Sequence, residues 1–187
     1  MHTAEYTFSQ RSVTCYFDAG FRVLNELVKE GNLVILTDEN VFNEHAEKLA
    51  GYRVIKFAAG ETSKNQATVD QVIRELIKLG AHKNTFLIGL GGGVVTDLTG
   101  YVASIYMRGI PFGLVPTTIL AMVDAAIGGK NGIDVGVYKN MVGTICQPEF
   151  IFYDYSFLDT LPVKEWINGF AEIIKHACIK DALLFAK

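Results

Sequence analysis

The sequence of 187 residues carries 17 Lys and Arg against 20 Asp and Glu, a net charge of −3, which leaves no general basic field for holding nucleic acid. Half of the residues are hydrophobic, a fifth are charged and 18 are Gly, a globular composition that excludes disordered and collagen-like chains. Three irregularly spaced cysteines, Cys15, Cys146 and Cys178, exclude a disulfide scaffold and a paired-Cys metal site and suit a reducing cytoplasm.

Met1 to Glu5 offers neither a basic start nor an apolar signal core. Val34-Ile35-Leu36, Val54-Ile55-Lys56-Phe57 and Phe86-Leu87-Ile88 are short apolar runs, the pattern of strands buried on both faces of a parallel sheet. Between them, Asn40 is the expected N-cap of a helix through Ala50, with Gly51 past its end. A second helix places Val69, Val72, Ile73, Leu76 and Ile77 on one face and stops at Gly80. Two strand-helix units therefore fill the first eighty residues and predict an open α/β sheet with right-handed crossovers. The apolar stretch from Tyr101 to Ile127 is interrupted by Arg108, Pro111, Pro116 and Asp124, so it does not read as one membrane span. From Leu161-Pro162 onward Trp166, Ile167, Phe170, Ile173, Ile174 and Ala177 recur at helical spacing, and Glu165 to Lys187 reads as a helix without a terminator. The expected organisation is an α/β domain over 1–161 and the start of a helical domain over 162–187.

Polar residues stand at the positions where open α/β sheets bind ligands. Asp38 ends a strand on that edge, where it can grip a ribose hydroxyl or cap a helix. The loop Gly60 to Asn65 supplies Glu61 and Lys64 on the same edge. Gly91-Gly92-Gly93-Val94-Val95-Thr96-Asp97 joins a strand to a helix, so amides of Gly92 and Gly93 could approach a diphosphate at a helix N-terminus, although the pattern is not G-x-G-x-x-G. Thr117-Thr118 reads as a helix cap or a pair of nucleotide-facing hydroxyls. Arg108, Asp124, Lys130, Lys139 and Asn140 lie within apolar and Gly-rich segments, where a charge needs an ion pair or a bound ligand. Glu172 with Lys175 reads as a helical salt bridge, and Glu172 with His176 as a metal clip. With only His2, His45, His82 and His176 available, a three-ligand zinc set looks incomplete.

These segments together resemble the 3-dehydroquinate synthase family of sugar-phosphate cyclases, most densely from Leu87 to Lys175. The carrying motifs are Gly91 to Leu98, Tyr106-Met107-Arg108-Gly109, Val115 to Asp124, Gly128-Gly129-Lys130, Lys139-Asn140 and Gly169 to Lys175. The resemblance implies a Rossmann-like NAD-binding domain, a helical domain and a cleft between them. By motif, Asp38, Glu61, Lys64, Gly92, Gly93, Asp97, Thr117, Thr118, Lys139, Phe157 and Thr160 would hold NAD. Arg108, Lys130 and Asn140 would serve the substrate phosphate, with Arg108 reaching the neighbouring subunit of a homodimer. Asp124 and Lys175 would meet the substrate's hydroxyl and carboxylate end, and Glu172 would bind a divalent metal, zinc or cobalt. The family's other two metal ligands are histidines farther downstream, and the position of His176 is not among them.

The implied reaction converts 3-deoxy-arabino-heptulosonate 7-phosphate, a phosphorylated seven-carbon sugar acid, to 3-dehydroquinate and phosphate in the shikimate pathway of the cytoplasm. NAD would be reduced and reoxidised within one turnover. No nucleic-acid or membrane partner is expected. Thr96, Ala125-Ala126 and Tyr138 depart from common family residues and bear on substrate identity more than fold. The alternatives are another sugar-phosphate cyclase, a metal-dependent polyol dehydrogenase and a non-catalytic NAD-binding module.

Overall fold

The computed structural model describes residues 1–8, 11–28 and 33–186. Strands β1 (His2–Phe8) and β2 (Arg11–Phe17) form an antiparallel pair, followed by a 3-10 turn and the short helix α1 (Leu24–Leu27). This hairpin was not expected from the sequence, whose first two strand-helix units begin later. Strand β3 (Leu33–Asp38) is buried up to its last residue, and Asp38 caps α2 (Glu39–Glu44) by accepting the Val41 amide at 3.0 Å. The helix therefore starts before Asn40, because the extended backbone and short carboxylate of Asp38 satisfy the cap. It also breaks at His45 and resumes as α3 (Ala46–Leu49), so it is not continuous to Ala50.

Strand β4 (Arg53–Phe57) leads through a 3-10 turn at Glu61–Ser63 to α4 (Gln66–Lys78), capped by Asn65. Val69, Val72 and Leu76 of α4 are buried as expected, whereas Ile77 is 62% exposed because it lies past the edge of the packed stripe. Then follow β5 (Phe86–Gly91), α5 (Gly93–Ile105), β6 (Phe112–Pro116) and a π-helical turn at Ala121–Ala125. Strands β7 (Lys130–Val135) and β8 (Tyr138–Ile145) make a separate antiparallel ribbon, and β9 (Phe150–Tyr153) returns to the main sheet.

The seven-stranded sheet has the order β1-β2-β9-β6-β5-β3-β4, and every neighbouring pair except β1–β2 is parallel. Alternate residues of β3 point to opposite cores. Val34 and Leu36 pack with Val69, Val72, Leu98 and Val102 of α4 and α5, while Leu33 and Ile35 pack with Leu24, Leu49 and Phe157 on the other face. The expected Rossmann-like parallel sheet with helices on both faces is thus present. Chain direction across the sheet reverses between β3 and β5, so their C-terminal ends open a crevice.

After a 3-10 turn at Tyr155–Thr160, α6 (Val163–Lys180) begins behind Pro162. It ends sooner than its apolar spacing suggested: Asp181 leaves helical geometry and caps α7 (Ala182–Phe185) by accepting the Leu183 and Leu184 amides. Lys187, the expected last residue of that helix, lies outside the described residues. Gly169 and Ala177 are buried, whereas Ile167, Phe170 and Ile174 are exposed. Among the described residues no helix is long and apolar enough to cross a membrane.

Candidate functional site

The crevice is an open cavity of about 1480 Å³ at the C-terminal ends of β3, β4, β5 and β6, closed on its sides by the β7–β8 ribbon and the start of α6. Asp38, Glu61, Lys64, Gly92, Gly93, Asp97, Thr117, Thr118, Asp124, Lys130, Asn140, Phe157 and Thr160 all line it. Residues far apart in sequence meet because parallel crossovers deliver each strand end to the same edge.

The triple glycine has two separate roles. A Cβ at Gly91 would lie 2.5 Å from Val95, so this glycine lets α5 pack against its own strand. Gly92 occupies the N-cap of α5 without a side-chain cap, leaving first-turn amides and the positive end of the helix dipole toward the cavity. A Cβ at Gly92 or Gly93 would approach Thr118 to 3.2 Å or Ala125 to 3.3 Å and narrow the same space. These features fit a diphosphate. Thr118 caps the following turn by accepting the Ala121 amide at 3.1 Å.

Charge burial is distributed differently from the expectation. Arg108, Lys130, Lys139 and Asn140 are exposed, so hydration removes the need for an obligatory partner. Among the described residues the buried cation is Lys64, whose ammonium pairs with Asp97 on the second turn of α5 and donates to Asn140 Oδ1 at 2.6 Å. Burial pushes the Asp97 carboxyl above its ordinary value, and the Lys64 contact opposes that rise. Burial likewise raises Asp38, against the amide hydrogen bonds of Val41 and Asn40. Lys139 lies outside the cavity lining but clasps Glu61 at 3.1 Å, and that hydrogen bond raises the lysine.

Arg108 is not brought to the cleft of its own chain. It sits on the turn after α5 with φ +62°, beside Met107 at +49°, and lies outside the lining shared by Lys130 and Asn140, a placement compatible with the expectation that it reaches a neighbouring subunit. The reason is local: Lys83 donates to the carbonyls of Met107 at 3.3 Å, Arg108 at 3.5 Å and Gly109, fixing that turn on the far end of the helix.

Outside the cavity lining but beside Asp124, which belongs to it, Lys175 contacts Glu172 and lies 3.5 Å from Asp124. The Glu172 hydrogen bond raises the Lys175 amine. His176 Nε2 stands 3.3 Å from Asp124, and one donor atom each of Asp124, Glu172 and His176 fall within 4.8 Å of one another. Two carboxylates and an imidazole suit zinc or cobalt chemically.

Sequence reasoning missed His45, Asn131 and Asp134. His45 is buried at the break after α2, with Nε2 2.9 Å from Thr160 Oγ1 and its ring edge-on to Phe157. Burial lowers its basicity, reinforced by Lys48. Its position two helical turns beyond Asp38 was the available signal. Asn131 donates to the carbonyls of Gly129 at 2.8 Å and Cys146 at 2.9 Å, holding the base of the ribbon. No local pattern marks it.

The family described as 3-dehydroquinate synthase N-terminal matches residues 54–168. A 3-dehydroquinate synthase of Streptococcus pneumoniae (strain Hungary19A-6) is 43% identical over 180 residues, covering 92% of this chain and 50% of that protein. Among solved structures, 2-epi-5-epi-valiolone synthase from Streptomyces hygroscopicus subsp. jinggangensis 5008, with NAD+ and Zn2+ bound, superposes with a TM-score of 0.85 at 30% identity, covering 95% of this chain and 52% of that one. A 2-deoxy-scyllo-inosose synthase complexed with carbaglucose-6-phosphate, NAD+ and Co2+ gives a TM-score of 0.83 at 25% identity over 94% of this chain and 51% of that one. The chain spans about half the length of the curated relatives it matches.

Proposed function

This chain belongs to the 3-dehydroquinate synthase family, and on that premise we propose that it supplies the nucleotide- and phosphate-binding half of an enzyme converting 3-deoxy-arabino-heptulosonate 7-phosphate to 3-dehydroquinate and phosphate. This is a cytoplasmic step of the shikimate pathway. Residues 1–161 form the NAD-binding domain in this reading, and 162–187 begin a helical domain that contributes to metal and substrate binding. The open apolar face of α6 at Ile167, Phe170 and Ile174 supports that division.

The observation that carries the reading is the shared cavity: uncapped amides at Gly92–Gly93, hydroxyls at Thr117–Thr118 and the Lys130–Asn140 pair face one space. The amides hold the nucleotide diphosphate, with Asp38 and Asp97 accepting hydrogen bonds from hydroxyl or amide groups and Glu61, Lys64 and Lys139 fixing the loop beside it. Phe157 and Thr160 close the nucleotide side. Lys130 and Asn140 bind the sugar phosphate as point charge and amide donor. Exposed Arg108 serves the neighbouring cleft of a homodimer. When bound, NAD would supply the hydride-transfer chemistry at a ring carbinol and the divalent metal would supply Lewis acidity at its oxygens. Asp124 and Lys175 orient the substrate's hydroxyl and carboxylate end, and Glu172 ligates the metal. Because the family resemblance places the remaining ligands downstream, the chain alone binds NAD without turnover.

Two measurements test this. NAD titrated into the chain should saturate one site, and lack of binding refutes the nucleotide assignment. In the full-length protein carrying this sequence, substrate should release inorganic phosphate without net NADH. Accumulation of NADH would establish a dehydrogenase instead.

A further inference from the structure

Asn140 has a left-handed backbone, φ +57°, a region uncommon for non-glycine residues that Asn tolerates better than most. A closed circuit of three hydrogen bonds holds it there. The Asn140 amide donates to Asp134 Oδ1 at 2.8 Å, the Asp134 amide donates to the Lys64 carbonyl at 2.8 Å, and Lys64 Nζ donates to Asn140 Oδ1 at 2.6 Å. The ribbon register is irregular between Ile133 and Val135, at Asp134 itself, and such irregularities re-aim a side chain. Here the carboxylate turns across the ribbon to the Asn140 backbone. With Oδ1 of Asn140 occupied by Lys64, its two Nδ2 hydrogens are the group left for an anion in the cavity.

Resting on the reading of Asn140 as a phosphate-binding residue, we propose that Asp134 is a positioning residue that presents the Asn140 amide to the anion. Asp134 is outside the cavity lining, and its own charge would repel the ligand, so it acts only through the Asn140 backbone. An acceptor oxygen at this position suffices. Its negative charge is not required.

The test uses the isotope-labelled chain with inorganic phosphate and NAD as separate probes, following the Asn140 backbone and side-chain amides by NMR. Asp134→Ala should move Asn140 out of the left-handed backbone region, weaken phosphate at least five-fold and leave the NAD Kd within two-fold. Asp134→Asn keeps an acceptor oxygen and should preserve both affinities and the Asn140 backbone signal. Equal weakening of both probes in Asp134→Ala would mean general structural damage and overturn the proposal. So would a five-fold phosphate loss in Asp134→Asn, which carries the test if the alanine variant fails to fold. Wild type that binds phosphate, with Asp134→Ala binding it equally, removes the positioning role and leaves the phosphate reading intact. Wild type that binds neither probe, while Asn140 still shifts in Asp134→Ala, supports the positioning role and removes the phosphate reading.

Discussion

Replacing Lys64 with Met removes the one buried ammonium that faces Asp97 and Asn140. At a contact of about 3 Å and an effective dielectric near 20, the ion pair attracts by roughly 5–6 kcal/mol, much of it offset by the desolvation of both groups. Removing one partner leaves the other charge buried, which costs roughly 3–5 kcal/mol. The Lys64 side chain is 7% exposed and that of Asp97 18%, so water partly rescues the aspartate and the lower end, about 3 kcal/mol, applies. Loss of the hydrogen bond to Asn140 adds about 1 kcal/mol. Urea unfolding of Lys64→Met should therefore show a loss of about 3–4 kcal/mol. Asp97→Asn in the same background should restore more than half of it, since a neutral amide tolerates the site. The pH dependence has a definite sign. Asp97 is already raised above 3.8 by burial, and a carboxyl raised in the folded state favours folding below its unfolded value and loses that contribution as pH rises through the folded one. Without Lys64 the folded value rises further, so acidification from neutrality towards pH 4 should recover stability in Lys64→Met relative to wild type. A loss below about 1 kcal/mol, or double-variant energies that simply add, would refute the buried-pair argument.

His45 is held neutral by burial below its ordinary value of 6.5, so its contribution to stability is complete above that pH and falls as pH drops through the lowered folded value. His45→Gln should flatten the acid limb of thermal unfolding measured from pH 7 to 5. An unchanged limb would exclude His45 as the group responsible. A Cβ at Gly100 would stand 1.8 Å from Asn131 Oδ1, so Gly100→Ala must displace the side chain that ties Gly129 to Cys146. Chemical unfolding should show a loss of about 1–3 kcal/mol, with increased amide exchange at the ribbon base. Lys83→Ala removes the cation bonded to three successive carbonyls beneath two left-handed residues. It should cost about 1–2 kcal/mol in urea unfolding and speed amide exchange at Met107–Gly109 while leaving NAD affinity unchanged.

The legible parts of this molecule were those set by near neighbours along the chain. Val34 to Leu36 and Phe86 to Ile88 read as doubly buried strands because nothing polar interrupts them, and Gly91 to Gly93 read as a strand-to-helix turn because only glycine tolerates such close backbone approach. The helix after β3 was misplaced because Asp38 and Asn40 are both good caps and periodicity alone does not choose between them. The candidate binding residues were legible as motifs, and most line one cavity. Their electrostatics were not. Lys130 and Asn140 sit in Gly-rich sequence yet are solvated, whereas Lys64, in an ordinary polar loop, is buried.

The sequence alone therefore determined strand and helix type from β3 to α5, the parallel class of the sheet and the family to which the motifs belong, because each follows from residue chemistry over short spans. Tertiary structure decided that Lys64 meets Asp97 and Asn140, that Arg108 is turned away from its own cleft and that β7 and β8 leave the main sheet as a ribbon. Burial and charge pairing are fixed by partners tens of residues away, and hydration makes the same side chain inexpensive on a surface and costly inside.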